Sequence, residues 1–391
     1  MSVKGWSGGD VARLVEHAEE QIAAVTAHLW PNTDAVFGPT VTAGGALARQ
    51  VRVGNDTLCA KVRPAGVALS AVIRGEHGDL TAVLAHDTAG KQAGLTIREA
   101  DHLKALAAYS SLPVATPISL TGGVLFAPWV TGPSLADRVQ ENPTYLTFLL
   151  RELMDNLYEL HYNPPNPLRQ LAARPALRVL PRVLDEASWR RQDHLRFVDT
   201  SDDEAREARA LLASLSVRLR RLASRLDPLL FAHSGVAFGN LSPAHVLHPD
   251  TSPRATVLAP ALDRGGRPVD CGSLLGHLHL LIVTCPQSTR AELVDGVERW
   301  LDGHLGATSQ EQWHGWLAVV MTIWAATVYE QVVTALTLPK DSLPLDPATA
   351  GLRAQPLPAL AVLDVLTRGL RRRDTDTALI ATLAALAGNP T

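Results

Sequence analysis

Phe238-Gly239-Asn240-Leu241-Ser242-Pro243-Ala244-His245-Val246-Leu247 is the stretch on which the reading of this chain turns. It reads as a loop flanked by short strands, with Gly239 and Pro243 as its punctuation. Two of its side chains could do chemistry. Asn240 can hydrogen-bond and orient a neighbour, but it cannot act as a carboxylate base. His245 is an imidazole that could ligate a metal. What surrounds the loop decides what it is for.

Upstream, the chain begins with an amphipathic pattern over residues 10–29, where Val11, Leu14, Val15, Ala18, Ile22 and Val25 recur at helical spacing. Asp10 is the expected N-cap, and Pro31 closes the segment. Strand patterns follow at 35–42, 49–53 and 57–62, with turns at Gly44-Gly45 and Gly54-Asn55. Residues 63–96 are rich in Gly and Ala and look like an insertion. Short strands are expected there at 71–74 and 80–85, forming an extra hairpin or a mobile flap. A helix is expected over 97–109, and a strand pair around Thr121-Gly122-Gly123 that ends in Val124–Val130. Beyond Gly132 the chain reads helical over 134–140, 144–162, 168–187 and 203–226. After the loop come helices at 273–283, 289–304, 309–336 and 358–388, with 338–358 as a Pro-rich linker. A β-rich start followed by a long helical remainder predicts an α+β fold of two lobes. Residues 1–132 form the smaller lobe and 133–391 the larger.

Composition narrows the class. The chain has 391 residues, 46% hydrophobic and 19% charged, with a formal net charge of −3. That supplies a sizeable core and ordinary solubility. Without a basic run, no strong field draws nucleic acid or an anionic membrane. Cys59, Cys271 and Cys285 form no CxxC pair, which fits a reducing cytoplasm. Asp10, Glu16, Glu19 and Glu20 argue against a signal peptide at the start. The most apolar run, Trp316 to Tyr329, is shorter than the roughly 20 residues of a membrane span, so a buried core helix is expected there. Among the other histidines, His233, His248, His277 and His279 do not form a convincing ligand set. No GxSxG or Ser-His-Asp pattern points to a hydrolase.

In register, the opening loop resembles the catalytic loop of the aminoglycoside phosphotransferase and choline kinase superfamily, commonly His-Gly-Asp-Leu-His-Pro-Gly-Asn-Val-Leu. Other motifs resemble that superfamily in the right order, over roughly residues 38–300. Gly44 and Gly45 look like the loop over the nucleotide phosphates. Lys61, in a chain with only five lysines, is similar to the strand lysine that contacts those phosphates. Arg98-Glu99-Ala100 resembles the helix whose Glu pairs with it. Val124–Gly132, followed by Pro133-Ser134-Leu135, looks like the hinge, with Pro128 and Val130 offering backbone groups to adenine. Leu160-His161 resembles a helix end where the His is structural, and Asp270 matches a late Asp that orients the loop.

The resemblance implies a kinase-like fold, ATP as the nucleotide, and a small-molecule or peptide hydroxyl as acceptor. The departures fall on the chemistry. Asn240 stands where the superfamily has its catalytic Asp, and His245 where it has a metal-binding Asn. Imidazole is a poor match for Mg²⁺, which prefers oxygen. Counting back from Asp270 puts Pro260 on the metal-binding Asp. A different register would let Asp263 serve as catalytic and metal-binding carboxylate instead. Mg²⁺ is therefore in doubt. Three readings stay open: a pseudokinase that binds a nucleotide, peptide or partner protein; a divergent active phosphotransferase; and a nucleotide-independent interaction protein. Relatives occur in bacterial specialised-metabolite pathways, which the resemblance permits as a setting.

Overall fold

A computed structural model describes residues 6–43, 45–88, 94–173, 195, 201–226, 235–250, 252, 254–305, 310–339, 343, 345–371 and 374–388. The amphipathic start forms α1 (Gly8–Leu29), which buries Val11, Leu14, Ala18 and Ile22 along one face. Its N-cap is Ser7 and not Asp10. Asp10 sits at the third helical position, where it closes a capping box by accepting from the Ser7 N–H at 3.0 Å.

Strands β1 (Ala35–Ala43), β2 (Ala46–Val53) and β3 (Asp56–Val62) run antiparallel. With β4 (Ser119–Thr121) and β5 (Val124–Pro128) they make one sheet in the order β1-β2-β3-β5-β4. Alternation along β2 and β3 turns Leu47, Val51, Leu58, Ala60 and Val62 onto a common core with α1.

The insertion is helical. In place of the two expected strands are α2 (Leu69–Ile73) and α3 (Leu80–Thr88), separated by a turn with positive φ at Gly75 and Gly78. Val72, Ile73, Leu80 and Val83 recur with helical spacing and bury against the sheet-side core. Gly and Ala richness hid that period; the flap reading does not hold for the described part, and residues 89–93 lie outside it. Next comes α4 (Leu95–Tyr109).

The remainder is mostly helical, as the sequence pattern beyond Gly132 leads one to expect. Helix α5 (Leu135–Glu141) is followed by α6 (Leu146–Asn156) and α7 (Tyr158–Tyr162), one expected helix interrupted at Leu157. Then come α8 (Asn166–Ala172) and α9 (Asp202–Ala223). Most of the helix expected over 168–187 lies outside the described residues. Four two-residue strands frame the loop: β6 (Val236–Ala237), β7 (Val246–Leu247), β8 (Thr256–Val257) and β9 (Asp263–Arg264). Helices α10 (Arg267–Thr284), α11 (Gln287–Leu305) and α12 (Gln310–Thr337) build the core beneath them. The expected linker holds α13 (Pro347–Ala354), and the last expected helix is two, α14 (Pro356–Arg371) and α15 (Thr375–Leu386).

Helix α12 has the length expected for it, and its 28 residues reach the length of a membrane span, which the apolar run alone did not; 72% of its apolar window is buried inside the protein. It lies unusually close to α10. A Cβ at Gly272 would come within 2.7 Å of the Val320 carbonyl oxygen, and one at Gly276 within 2.6 Å of Thr327. Small residues one turn apart thus let the two backbones approach. After α12, Leu338 and Leu343 cross to bury in the sheet-side core beside Trp6 and Leu69. The C-terminal region therefore touches both halves of the molecule.

Candidate functional site

Strand β3 places Lys61, and helix α4 presents Glu99 to it. The Lys61 Nζ donates to Glu99 Oε1 at 2.7 Å, and both side chains are buried. The pair expected from sequence is formed. A third member was not anticipated: Arg63 Nη2 lies 2.6 Å from Glu99 Oε2. The signal was available, because Lys61 and Arg63 are two residues apart on extended chain and share a face. Burial pushes the Glu99 carboxyl up. The charges of Lys61 and Arg63, with hydrogen bonds from both, outweigh it and pull the pKa down to about 2.

Of the glycine pair, Gly44 lies outside the described residues. Gly45 occupies the β1–β2 turn with φ +72° and accepts from the Leu69 N–H at 2.8 Å. The insertion thus holds the hairpin. Pro128 ends β5 opposite Leu58, and the Trp129 N–H is taken by the Thr57 carbonyl at 2.9 Å. Val130 is half-buried, and its N–H engages none of the described residues. A backbone donor is therefore left unengaged just after β5.

On the helical side, the loop is mounted on α10. Asp270 is fully buried and accepts three hydrogen bonds: from the Phe238 N–H at 2.7 Å, from the Gly239 N–H at 2.8 Å, and from His161 Nε2 at 2.8 Å. Both orienting residues expected from sequence are therefore joined. Ser273, one turn on, donates to the Leu241 carbonyl at 3.1 Å. Gly239 takes φ +86° and comes so close to the Ala261 carbonyl that a Cβ would meet its oxygen at 2.1 Å. Only glycine fits there. The loop backbone is thus held by buried partners, while the His161 Nδ1 is buried without a hydrogen-bond partner.

What the frame presents is different. Asn240 donates through Nδ2 to the Ala259 carbonyl at 3.3 Å. The register Val246↔Val257, with the Leu258 N–H bonded to the His245 carbonyl at 2.8 Å, fixes the segment 257–261 against the loop. Ala259, at φ +56°, and Pro260 therefore occupy the stretch nearest Asn240, and neither has a side chain that binds a cation. Asp263 is further along, in β9 opposite Ala237. It is buried, and its Oδ1 accepts from the Arg264 N–H at 2.7 Å.

His245 follows a turn capped by Ser242, and its Nδ1 is buried without a hydrogen-bond partner. Burial, then the positive charge of Lys61, holds its pKa below the ordinary imidazole value, so it is neutral at pH 7. His277 is depressed likewise, by burial and by His245. Lys61, Glu99 and Asp346 thus lie within electrostatic reach of His245, as His245 does of His277. The other histidines have separate roles: His279 is buried in the core, the His248 N–H bonds the Pro133 carbonyl at 2.9 Å, and His233 lies outside the described residues. Among the described residues no three His, Cys, Asp or Glu side chains come together as a metal site. The two sides are tied through α4: Arg98 Nη2 donates to the Leu262 carbonyl at 3.0 Å, and the Leu262 N–H donates to His102 Nδ1 at 3.1 Å.

Neither a known sequence family nor a curated protein matches the chain. Solved structures do. A microcompartment-associated aminopropanol kinase is 13% identical, with a TM-score of 0.49 over 90% of this chain and 98% of its own. A spectinomycin phosphotransferase, solved with ADP and spectinomycin, is 10% identical, with a TM-score of 0.45 over 92% and 98%. The choline kinase LicA from Streptococcus pneumoniae is 13% identical, with a TM-score of 0.41 over 88% and 99%.

Proposed function

We propose that this protein is a pseudokinase: it binds a nucleotide in the cleft between Lys61 and the 238–247 loop and transfers phosphate poorly or not at all. One observation carries the reading. The Lys61–Glu99 pair is intact at 2.7 Å, while the facing segment offers Asn240, His245, Ala259 and Pro260. Phosphoryl transfer is mostly positioning and charge stabilisation, so a missing metal-binding carboxylate attacks its largest contribution. Asn240 can orient a hydroxyl but cannot take its proton. ATP is the nucleotide we expect. A peptide or partner protein is the expected occupant of the acceptor side.

A second reading rests on Asp263, the buried carboxylate four residues beyond Ala259. If it turns toward bound nucleotide, a divergent phosphotransferase acting on a small-molecule or peptide hydroxyl remains in play. Titration calorimetry with ATP, with and without Mg²⁺, separates the two. The pseudokinase reading expects binding in the absence of metal, changed less than about threefold by Mg²⁺, and weakened by about tenfold or more in Lys61→Ala. Binding that requires Mg²⁺ and is lost in Asp263→Ala would put the active enzyme ahead. No binding at all would leave a nucleotide-independent interaction protein.

A further inference from the structure

Lys61 and Arg63 share one carboxylate. Two cations and one anion leave a surplus of one positive charge in a place where the Arg63 side chain is 7% exposed and that of Glu99 6%. Glu99 is the one carboxylate that pairs with either cation among the described residues. Moreover, Arg63 spends only Nη2 on it. Nε and Nη1 are both buried with no hydrogen-bond partner. Three residues before Glu99, hence on the same face of α4, the Thr96 hydroxyl is also buried and unpartnered. Helix α4 starts at Gly94 without a side-chain cap. Unsatisfied donors thus stand on Thr96, in the first turn of a 15-residue helix, and on Arg63, which reaches Glu99 one turn further on, and the helix end itself favours negative charge.

We propose that Arg63, Thr96 and the first turn of α4 bind a phosphate group without a divalent metal. A water molecule could satisfy the hydrogen bonds but would leave the surplus charge in place; an oxyanion does both. The guanidinium fork matches two phosphate oxygens, the hydroxyl donates to a third, and the uncapped N–H groups complete the set. Glu99 is held ionised between two cations, and the net positive charge there repels Mg²⁺. Arg63 thus supplies the charge that a metal ion brings in an active kinase. This inference deepens the nucleotide reading and rests on it only for the source of the phosphate, a nucleotide's own phosphoryl group or a free phosphate ion.

The test is calorimetric titration of the full chain with inorganic phosphate and, separately, ADP, first in EDTA and then in Mg²⁺. Phosphate should bind in EDTA, gain nothing from Mg²⁺, and weaken by about tenfold or more in Arg63→Gln and about fivefold in Thr96→Val. Arg63→Lys, which keeps the charge and the Glu99 partner, carries the test should Arg63→Gln not fold. It should retain phosphate binding at reduced affinity. ADP binding in EDTA with the same dependence identifies the nucleotide as the source. Arg63-dependent phosphate binding without ADP binding keeps this site and removes the nucleotide reading. ADP binding that needs Mg²⁺ and ignores Arg63 keeps the nucleotide reading and overturns this site. Absence of phosphate and ADP binding in EDTA, or equal phosphate affinity in all variants, also overturns it.

Discussion

The sheet side and the helical side of the candidate site carry charge in opposite ways. On the sheet side, charge is in excess: Lys61 and Arg63 crowd one carboxylate at 2.7 and 2.6 Å. On the helical side, charge is missing from the working positions, although the frame that aims them is complete. Asp270 still takes the Phe238 and Gly239 N–H groups and His161, and Gly239 still makes a turn that admits no other residue. The difference teaches that a loop's geometry and its chemistry are held by separate residues. Backbone hydrogen bonds to a buried carboxylate preserve the shape, whatever side chains the loop displays.

The sharpest way to break this comparison is Asp270→Ala. It strands two buried N–H donors and the His161 ring. We expect a loss of about 4 kcal/mol in urea unfolding, together with loosening of the loop. Asp270→Asn, which keeps one carbonyl acceptor, should lose less. If Asp270→Ala costs under about 1 kcal/mol, the frame is not what holds the loop.

How much of each side could be read in the sequence follows from the same division. The Lys61–Glu99 pair is legible through the motifs these residues resemble, and His161 and Asp270 each read as structural in the same way, but that the two bond to one another is visible only in the structure. Arg63 stands at the edge of the Gly- and Ala-rich segment, where the strand pattern fades, although strand alternation from Lys61 points to it. The insertion itself was misread. Val72, Ile73, Leu80 and Val83 make only two short helices, and Gly75 and Gly78 interrupt the period before it becomes visible. Leu338 and Leu343 sat in a Pro-rich stretch that reads as a linker. Their burial against the sheet side is a tertiary contact that no local pattern announces. The register of 257–261 was ambiguous by counting, and the β7–β8 ladder is what seats Ala259 beside Asn240.

Acid should distinguish the two sides. Helix α10, which mounts the loop, carries His279 in the core. Its Nδ1 accepts from the Trp324 indole N–H and its Nε2–H donates to the Ala359 carbonyl, each at 3.2 Å, which fixes one neutral tautomer. Burial pushes its pKa from 6.5 down to about 3, partly offset by the Ala359 hydrogen bond. The unfolded chain therefore binds a proton below pH 6.5 that the folded one refuses. Stability from this group is full above 6.5 and falls as pH drops toward 3. Between pH 6.5 and 5 the loss is about 2 kcal/mol. Glu99 has the opposite position: with its pKa lowered from 4.5 to about 2, its contribution holds until pH falls below 4.5. Urea midpoints measured from pH 7.5 to 5 should therefore decline in the wild type and decline less steeply in His279→Gln, where the buried His277 and His245 still resist protonation. A slope unchanged in His279→Gln would place the acid sensitivity elsewhere than the loop's mount.

The smallest effect we expect is the one that restores the most familiar residue. Asn240→Asp returns a carboxylate to the loop, and a positioned base contributes about 10²–10⁴-fold where the rest of the machinery is present. Here the segment facing the new carboxylate would still be Ala259 and Pro260, and His245 would still offer nitrogen to a metal that prefers oxygen. The variant would also lose the amide donor that now reaches the Ala259 carbonyl at 3.3 Å. ATP turnover in Mg²⁺, followed by ADP release, should rise less than about tenfold. A rise of about a hundredfold or more would mean that a metal is held by some other carboxylate, with Asp263 the first to replace by Ala. The helical side would then be one substitution from activity, its missing charge supplied from β9 and not lost from the site.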